Sequence, residues 1–181
     1  MKTTLVALAI ATLSGSAMAQ SINQYYGEVT YDTVSIKDTS SSNNLGTVKP
    51  TVVRFSVGNV VMENVAVEAS YMVGASSDNW SDYSSVSTKV KDAYSVAVRP
   101  FVNVTPELEV FGRLGKSRST VEANAAGTVV SSKSTDTIYG LGVAYSLTKD
   151  AKAILDYTVS PEKAGSDSKV SRIGVGVRFN F

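Results

Sequence analysis

The chain contains no cysteine and no histidine, and these two absences exclude whole classes of chemistry. Without cysteine there is no disulfide, no thiolate nucleophile and no thiolate metal site. An exported form must therefore be held by its own pairing and packing. Without histidine no Ser–His or Asp–His catalytic pair can form, and a metal site would need clustered carboxylates. The loop acids Asp78, Asp82, Asp136 and Asp167 are scattered and read as solvated charges. A surplus of positive charge is also missing. The 17 Lys+Arg nearly balance the 16 Asp+Glu, so there is no sign of the basic surface that a nucleic-acid partner requires. Neither a catalytic residue nor a cofactor or metal site is expected. The apolar stretch at residues 5–11 is far shorter than the about 20 residues of a membrane-spanning helix.

That stretch has a different meaning. Lys2, the apolar run, and the small residues Ala17 and Ala19 form the three parts of a secretory signal peptide with an A-x-A cleavage site. Cleavage after Ala19 is expected, with an uncleaved anchor as the alternative. Residues 1–19 are then the signal peptide and residues 20–181 a single domain. Cleavage removes Lys2 and no acid, so the mature chain is formally neutral.

What the chain does have is alternation. In the last segment Ile173, Val175, Val177, Phe179 and Phe181 fall on one face, and Arg172, Gly174, Gly176, Arg178 and Asn180 on the other. Side chains alternate across a strand, so one face is apolar and the other polar or tiny. The same dyad recurs around Tyr25–Tyr31, Thr51–Val57, Val65–Val73, Tyr94–Val102, Leu108–Leu114, Tyr139–Leu147 and Ala151–Val159, which makes eight candidate strands. Their links alternate in length. "GNVVMEN", "NVTPE" and "TKD" are short and carry turn formers. The links near 37–47, 75–88, 117–135 and 160–169 are longer and polar. An even number of alternating strands with unequal ends is the signature of an eight-stranded antiparallel up-and-down transmembrane β-barrel, with short turns at one end and long loops at the other.

The composition of the two faces orients them. The polar face is rich in Gly, Ala and Ser and bears isolated central charges at Glu28, Arg54, Glu68, Arg99, Arg113, Asp156 and Arg178, with Glu109 nearer a turn. Small residues suit the cramped bore of an eight-stranded barrel. The apolar face is almost free of charge, and a Lys or Arg there would cost about 2–4 kcal/mol at the bilayer midplane. The apolar face is therefore expected to look outward and the charges to pair on the axis. A soluble barrel with its apolar face inward is the alternative. Aromatics offer a check by height, since a lipid-embedded barrel needs an aromatic girdle at each interface. Tyr31, Tyr71, Tyr94, Tyr139 and Tyr157 are expected toward the long-loop end. Tyr25, Phe55, Tyr145, Phe179 and Phe181 are expected toward the short-turn end.

With these residues in view, the chain resembles the small eight-stranded outer-membrane barrels of Gram-negative bacteria, of the OmpX and OmpA-transmembrane-domain type. The segment "RPFVNVTPELEVFGRLG" and the terminal "GVGVRFNF" carry most of the resemblance. It implies a C-terminal strand ending on an aromatic and read by the barrel-assembly machinery. Ile173, Val175, Val177, Phe179 and Phe181 match that assembly pattern. It also implies export to the cell outer membrane, with lipid and lipopolysaccharide as surroundings.

Three roles remain open at this point. The first is a structural or surface-interaction barrel, its interior plugged and its loops free for adhesion, host or phage contact. The second is a small gated pore for water and small ions. The third is a soluble periplasmic barrel binding an apolar ligand. Trp80 and Tyr83 are loop aromatics that could anchor a partner or rest on the barrel rim. A closed sheet needs no partner, so a monomer is expected.

Overall fold

The computed structural model describes residues 22–38, 46–82, 86–125, 127–161 and 168–181. The expected signal peptide, most of the first loop, Tyr83 and Asp167 lie outside the described residues. Eight long strands follow one another: β1 (Tyr25–Asp38), β2 (Thr51–Met62), β3 (Val65–Ser76), β4 (Val86–Asn103), β5 (Leu108–Ala125), β6 (Thr128–Ser146), β7 (Ala151–Ser160) and β8 (Ser168–Asn180). Each pairs antiparallel with the next, and β8 returns to pair with β1 along thirteen residue pairs from Tyr26–Asn180 to Asp38–Ser168. Two short segments add to this barrel: Thr47–Val48 pairs with β1 and Asp78–Asn79 with β4.

The register sets the dimensions. Bonded partners run from Tyr25 through Asn59, Val67, Val98, Leu114, Tyr139, Val159 and Ser171, and return to β1 at Ser35. The sheet thus closes with a stagger of about ten residues, which tilts eight strands by roughly 40° and leaves a bore just wide enough for side chains.

The faces are oriented as the charge pattern requires. Val29, Val57, Leu141, Leu155 and Val175 look outward and are exposed, Val175 by 60%. Glu28, Arg54, Glu68, Arg99 and Arg178 are buried. A continuous apolar belt around a closed sheet is an interaction surface for lipid and not for water. The soluble alternative, with the apolar face inward, does not hold. Tilt corrects one aromatic. Phe55 pairs directly with Tyr71, and Tyr71 with Tyr94. Phe55 thus sits in the row near the long-loop end, not at the short-turn end. The staggered rows climb by about 3 Å per strand, which counting along separate strands cannot reveal.

Strand lengths differ from expectation at the long-loop end. Residues 117–125 and 128–135 are strand, not loop. β5 runs on to Ala125 and β6 starts at Thr128, their pairing unbroken from Leu108–Tyr145 to Ala125–Thr128. Gly127 turns this raised hairpin with φ +86°, and its N–H donates to Asn124 Oδ1 at 3.2 Å. Glycine adopts such a φ without penalty. At the opposite end "GNVVMEN" is mostly strand, since β2 reaches Met62 and pairs with Val65. Asn64 makes the turn with φ 64°, a conformation that asparagine tolerates better than most residues.

Two glycines position the interior aromatics. Gly58 faces the Tyr26 ring and Gly142 the Phe111 ring so closely that a Cβ at either would strike ring atoms. These rings pack with Val60, Ala66, Phe101, Ala144 and Ile154 into an apolar collar. Gly142→Val should therefore evict Phe111 and lower stability by about 1–3 kcal/mol, as overpacking does elsewhere. Equilibrium unfolding of the barrel in lipid vesicles measures this, and an unchanged midpoint would refute the packing described.

Candidate functional site

Seven of the eight strands send a charged side chain into an axial lattice of ion pairs. β1 supplies Glu28 and Asp32, β2 Arg54, β3 Glu68, β4 Arg99, β5 Glu109 and Arg113, β7 Lys152 and Asp156, and β8 Arg172 and Arg178. β6 instead contributes the small residues Gly140, Gly142 and Ala144. The small residues of β6 leave space on that side of the narrow bore for the longer side chains of the other strands.

The ion pairs form one connected lattice. Near the short-turn end Glu109 takes Lys152 at 2.7 Å, Arg99 at 2.6 Å and Arg178 at 3.0 Å. Arg178 bridges to Glu28 at 2.9 Å. At mid-height Arg113 meets Glu68 at 2.8 Å, Asp156 at 3.2 Å and Glu28 at 3.4 Å. Arg54 pairs with Asp156 and lies 3.7 Å from Glu28. It also pairs with Asp32 at 3.1 Å, and Asp32 takes Arg172 at 3.0 Å. Rings cover the cations from the collar side. Arg99 stacks 3.7 Å from the Phe111 centroid and Arg178 4.5 Å from that of Tyr26, contacts that favour a desolvated guanidinium. The Tyr26 hydroxyl donates to Glu68 Oε2 at 3.2 Å.

All eight residues expected on the axis, Glu28, Arg54, Glu68, Arg99, Glu109, Arg113, Asp156 and Arg178, lie in this lattice. The sequence reading missed Asp32, Lys152 and Arg172. Each shares strand parity with a residue it did find, Asp32 with Glu28, Lys152 with Asp156 and Arg172 with Arg178. Parity would have found them, but attention to strand centres left them out. Trp80 is half-buried, and its indole N–H donates to Thr88 Oγ1 at 2.8 Å, so the ring rests on the barrel wall. Phe181 exchanges backbone hydrogen bonds with Tyr25, at 3.0 and 3.3 Å. The last residue therefore closes the sheet against the first strand.

Chemically, the lattice fixes shape and fills the axis. Glu28, Glu68, Glu109 and Asp156 accept hydrogen bonds from guanidinium groups, which engages these carboxylates within the lattice. Buried pairs give little net stability over apolar packing, yet removing one partner typically costs about 3–5 kcal/mol. Arg113 serves three carboxylates, so Arg113→Met should destabilise the barrel by that amount. Lys152→Met should cost less, because Glu109 keeps Arg99 and Arg178. Vesicle unfolding of both variants checks the order, and equal losses would contradict it.

The same architecture is found in proteins of known structure. At 16% identity, the attachment invasion locus protein Ail of Yersinia pestis superposes with TM-score 0.63, over 89% of this chain and 100% of that one. Neisserial surface protein A superposes with TM-score 0.68 at 14% identity, over 87% of this chain and 97% of that one. The N-terminal β-barrel domain of Pseudomonas aeruginosa OprF gives TM-score 0.60 at 16% identity, over 90% and 100%. No curated protein sequence matches the chain. The family model described as outer membrane protein beta-barrel domain matches residues 5–181. With its closed eight-stranded sheet and lipid-facing belt, the chain belongs to that family of Gram-negative outer-membrane barrels.

Proposed function

We propose that the protein is a closed, non-catalytic barrel that supports the outer envelope and meets the cell's surroundings through its long-loop end. One observation carries this reading: the axis is filled by a lattice of ion pairs drawn from seven strands. A second reading, a gated pore for water and small ions, rests on partner sharing. Glu28 lies within 3.7 Å of Arg54, 3.4 Å of Arg113 and 2.9 Å of Arg178, so exchange of partners could open a path.

The outer surface supports contact with lipopolysaccharide. Arg118 pairs across from Tyr94. With Lys91 and Lys133 it lines an open cleft of about 440 Å³ just beyond the upper aromatic row. Lys91 lies 3.0 Å from Glu122, whose hydrogen bond and charge raise the ammonium pKa above its ordinary value. Clustered cations at that height suit lipid phosphates. Ail of Yersinia pestis has been crystallised with the heparin analogue sucrose octasulfate, a polyanion that clustered cations of this kind suit equally. The raised β5–β6 hairpin, with Val129 and Val130 exposed near its tip, is the proposed point of adhesion, host or phage contact. Residues 1–19 direct Sec export, with cleavage after Ala19. Ile173, Val175, Val177, Phe179 and Phe181 form the assembly signal read by the barrel-assembly machinery. The exposed rings of Tyr31, Phe55, Tyr71, Tyr94, Tyr139 and Tyr157 form the outer girdle, and those of Tyr25, Tyr145, Phe179 and Phe181 the inner one.

Single-channel recording tests the closed interior. The native barrel should show no steady conductance, while Glu68→Arg, which removes two pairings and adds repulsion, should give sustained steps. A steady native conductance abolished by Glu68→Arg would favour the pore. For the cationic cleft, replacing Lys91, Arg118 and Lys133 together by Gln should weaken binding to lipopolysaccharide-containing vesicles severalfold and leave phosphatidylcholine vesicles unaffected. Equal binding by the triple variant would remove the cleft from the proposal.

A further inference from the structure

Between the charged lattice and the long-loop rim, the bore holds a cavity of about 90 Å³. That is room for a molecule of roughly six heavy atoms, given about 10–15 Å³ of such volume per water. Its walls are chemically divided. Val34, Val52, Met72 and Val90 are buried and form one apolar cluster on it. Ser117 and Ser119 of β5 supply hydroxyls.

One charged side chain is built into this wall with an incomplete partner set. Arg172 lines the cavity and is only 10% exposed. Its Nε lies 3.0 Å from Asp32 Oδ2, but Asp32 is shared with Arg54. Arg172 Nη1 donates to the Met72 thioether at 2.8 Å. A thioether is a weak acceptor, whereas carboxylates make the strong, often bidentate bonds to guanidinium. Among the described residues no carboxylate other than Asp32 lies within ion-pair reach of Arg172. A buried cation thus meets sulfur at the edge of an apolar space. A carboxylate with a short alkyl body matches both surfaces at once.

We infer that this cavity binds a small apolar monocarboxylate, its carboxylate on Arg172 in place of the Met72 sulfur and its alkyl part against Val34, Val52 and Val90. Asp136 also lines the cavity, holding a hydrogen bond from Ser134 Oγ at 2.5 Å. Its negative charge opposes any anion and a dianion more strongly, so the one carboxylate tolerated is the one that Arg172 offsets. The ligand enters from the long-loop end, because the lattice closes the other.

The barrel carries its own probe and control. Met72 touches the cavity, while Met62 lies at the short-turn end and is 64% exposed. In nanodiscs holding the methyl-labelled barrel, butyrate should shift the Met72 methyl signal saturably and leave Met62 unmoved. Butanol and butylammonium should bind at least tenfold more weakly. Arg172→Gln should lose at least tenfold in butyrate affinity. Val90→Phe, which keeps Arg172 and fills the space, should lose as much, so the test survives if Arg172→Gln does not fold. The inference is overturned if butanol titrates Met72 as well as butyrate does. It is equally overturned if butyrate leaves Met72 unmoved, or if either folded variant keeps the native butyrate curve.

Discussion

Hydrocarbon offers a peptide group nothing to bond to, so each N–H and C=O at that depth must find its partner within the chain. Here the demand is met by the pairing of β1 with β8, thirteen residue pairs that turn a meander into a cylinder. Without that seam two strand edges would face lipid. With it the sheet has no edge at membrane depth, and even Phe181 bonds back to Tyr25. The terminal alternation exists because the chain's last residues do structural work as important as that of its first.

Closure with eight strands and a stagger of about ten residues then dictates the interior. The bore is too narrow for a water-filled channel and too wide for backbone alone, so side chains must fill it. Outside, lipid excludes charge, which leaves the polar faces to turn inward. The result is a low-dielectric shaft holding eleven charged groups in which each cation lies within ion-pair reach of an acid. Gly140, Gly142 and Ala144 on β6 provide the room, and the Tyr26, Phe101 and Phe111 rings pack among the charges at the short-turn end. The small apolar cavity lies where the lattice ends, and its Arg172 belongs to the last ion pair of the series.

Beyond the bilayer the rules change. β5 and β6 continue as a paired hairpin above the aromatic row, yet from Thr128 to Thr135 β6 is exposed on both faces. With water on both sides no face needs to be apolar, and the dyad that marks a membrane strand fades while backbone pairing persists. That is why residues 117–135, rich in Ser and Thr, read as a loop although 117–125 and 128–135 are strand.

The sequence alone therefore determined whatever the lipid boundary writes into it: the number of strands, the outward face, the axial placement of Glu28, Arg54 and Arg99, and the alternation that runs through Phe179 and Phe181. A period of two against a uniformly apolar solvent is a signal that each residue carries locally. Only the tertiary structure decided what depends on register between strands. It placed Phe55 beside Tyr71, drew Asp32, Lys152 and Arg172 into the lattice, extended the β5–β6 hairpin, and left a cavity under the rim. Those outcomes arise from stagger and tilt, which couple residues far apart in the chain, such as Arg54 and Asp156, and no single strand's pattern contains them.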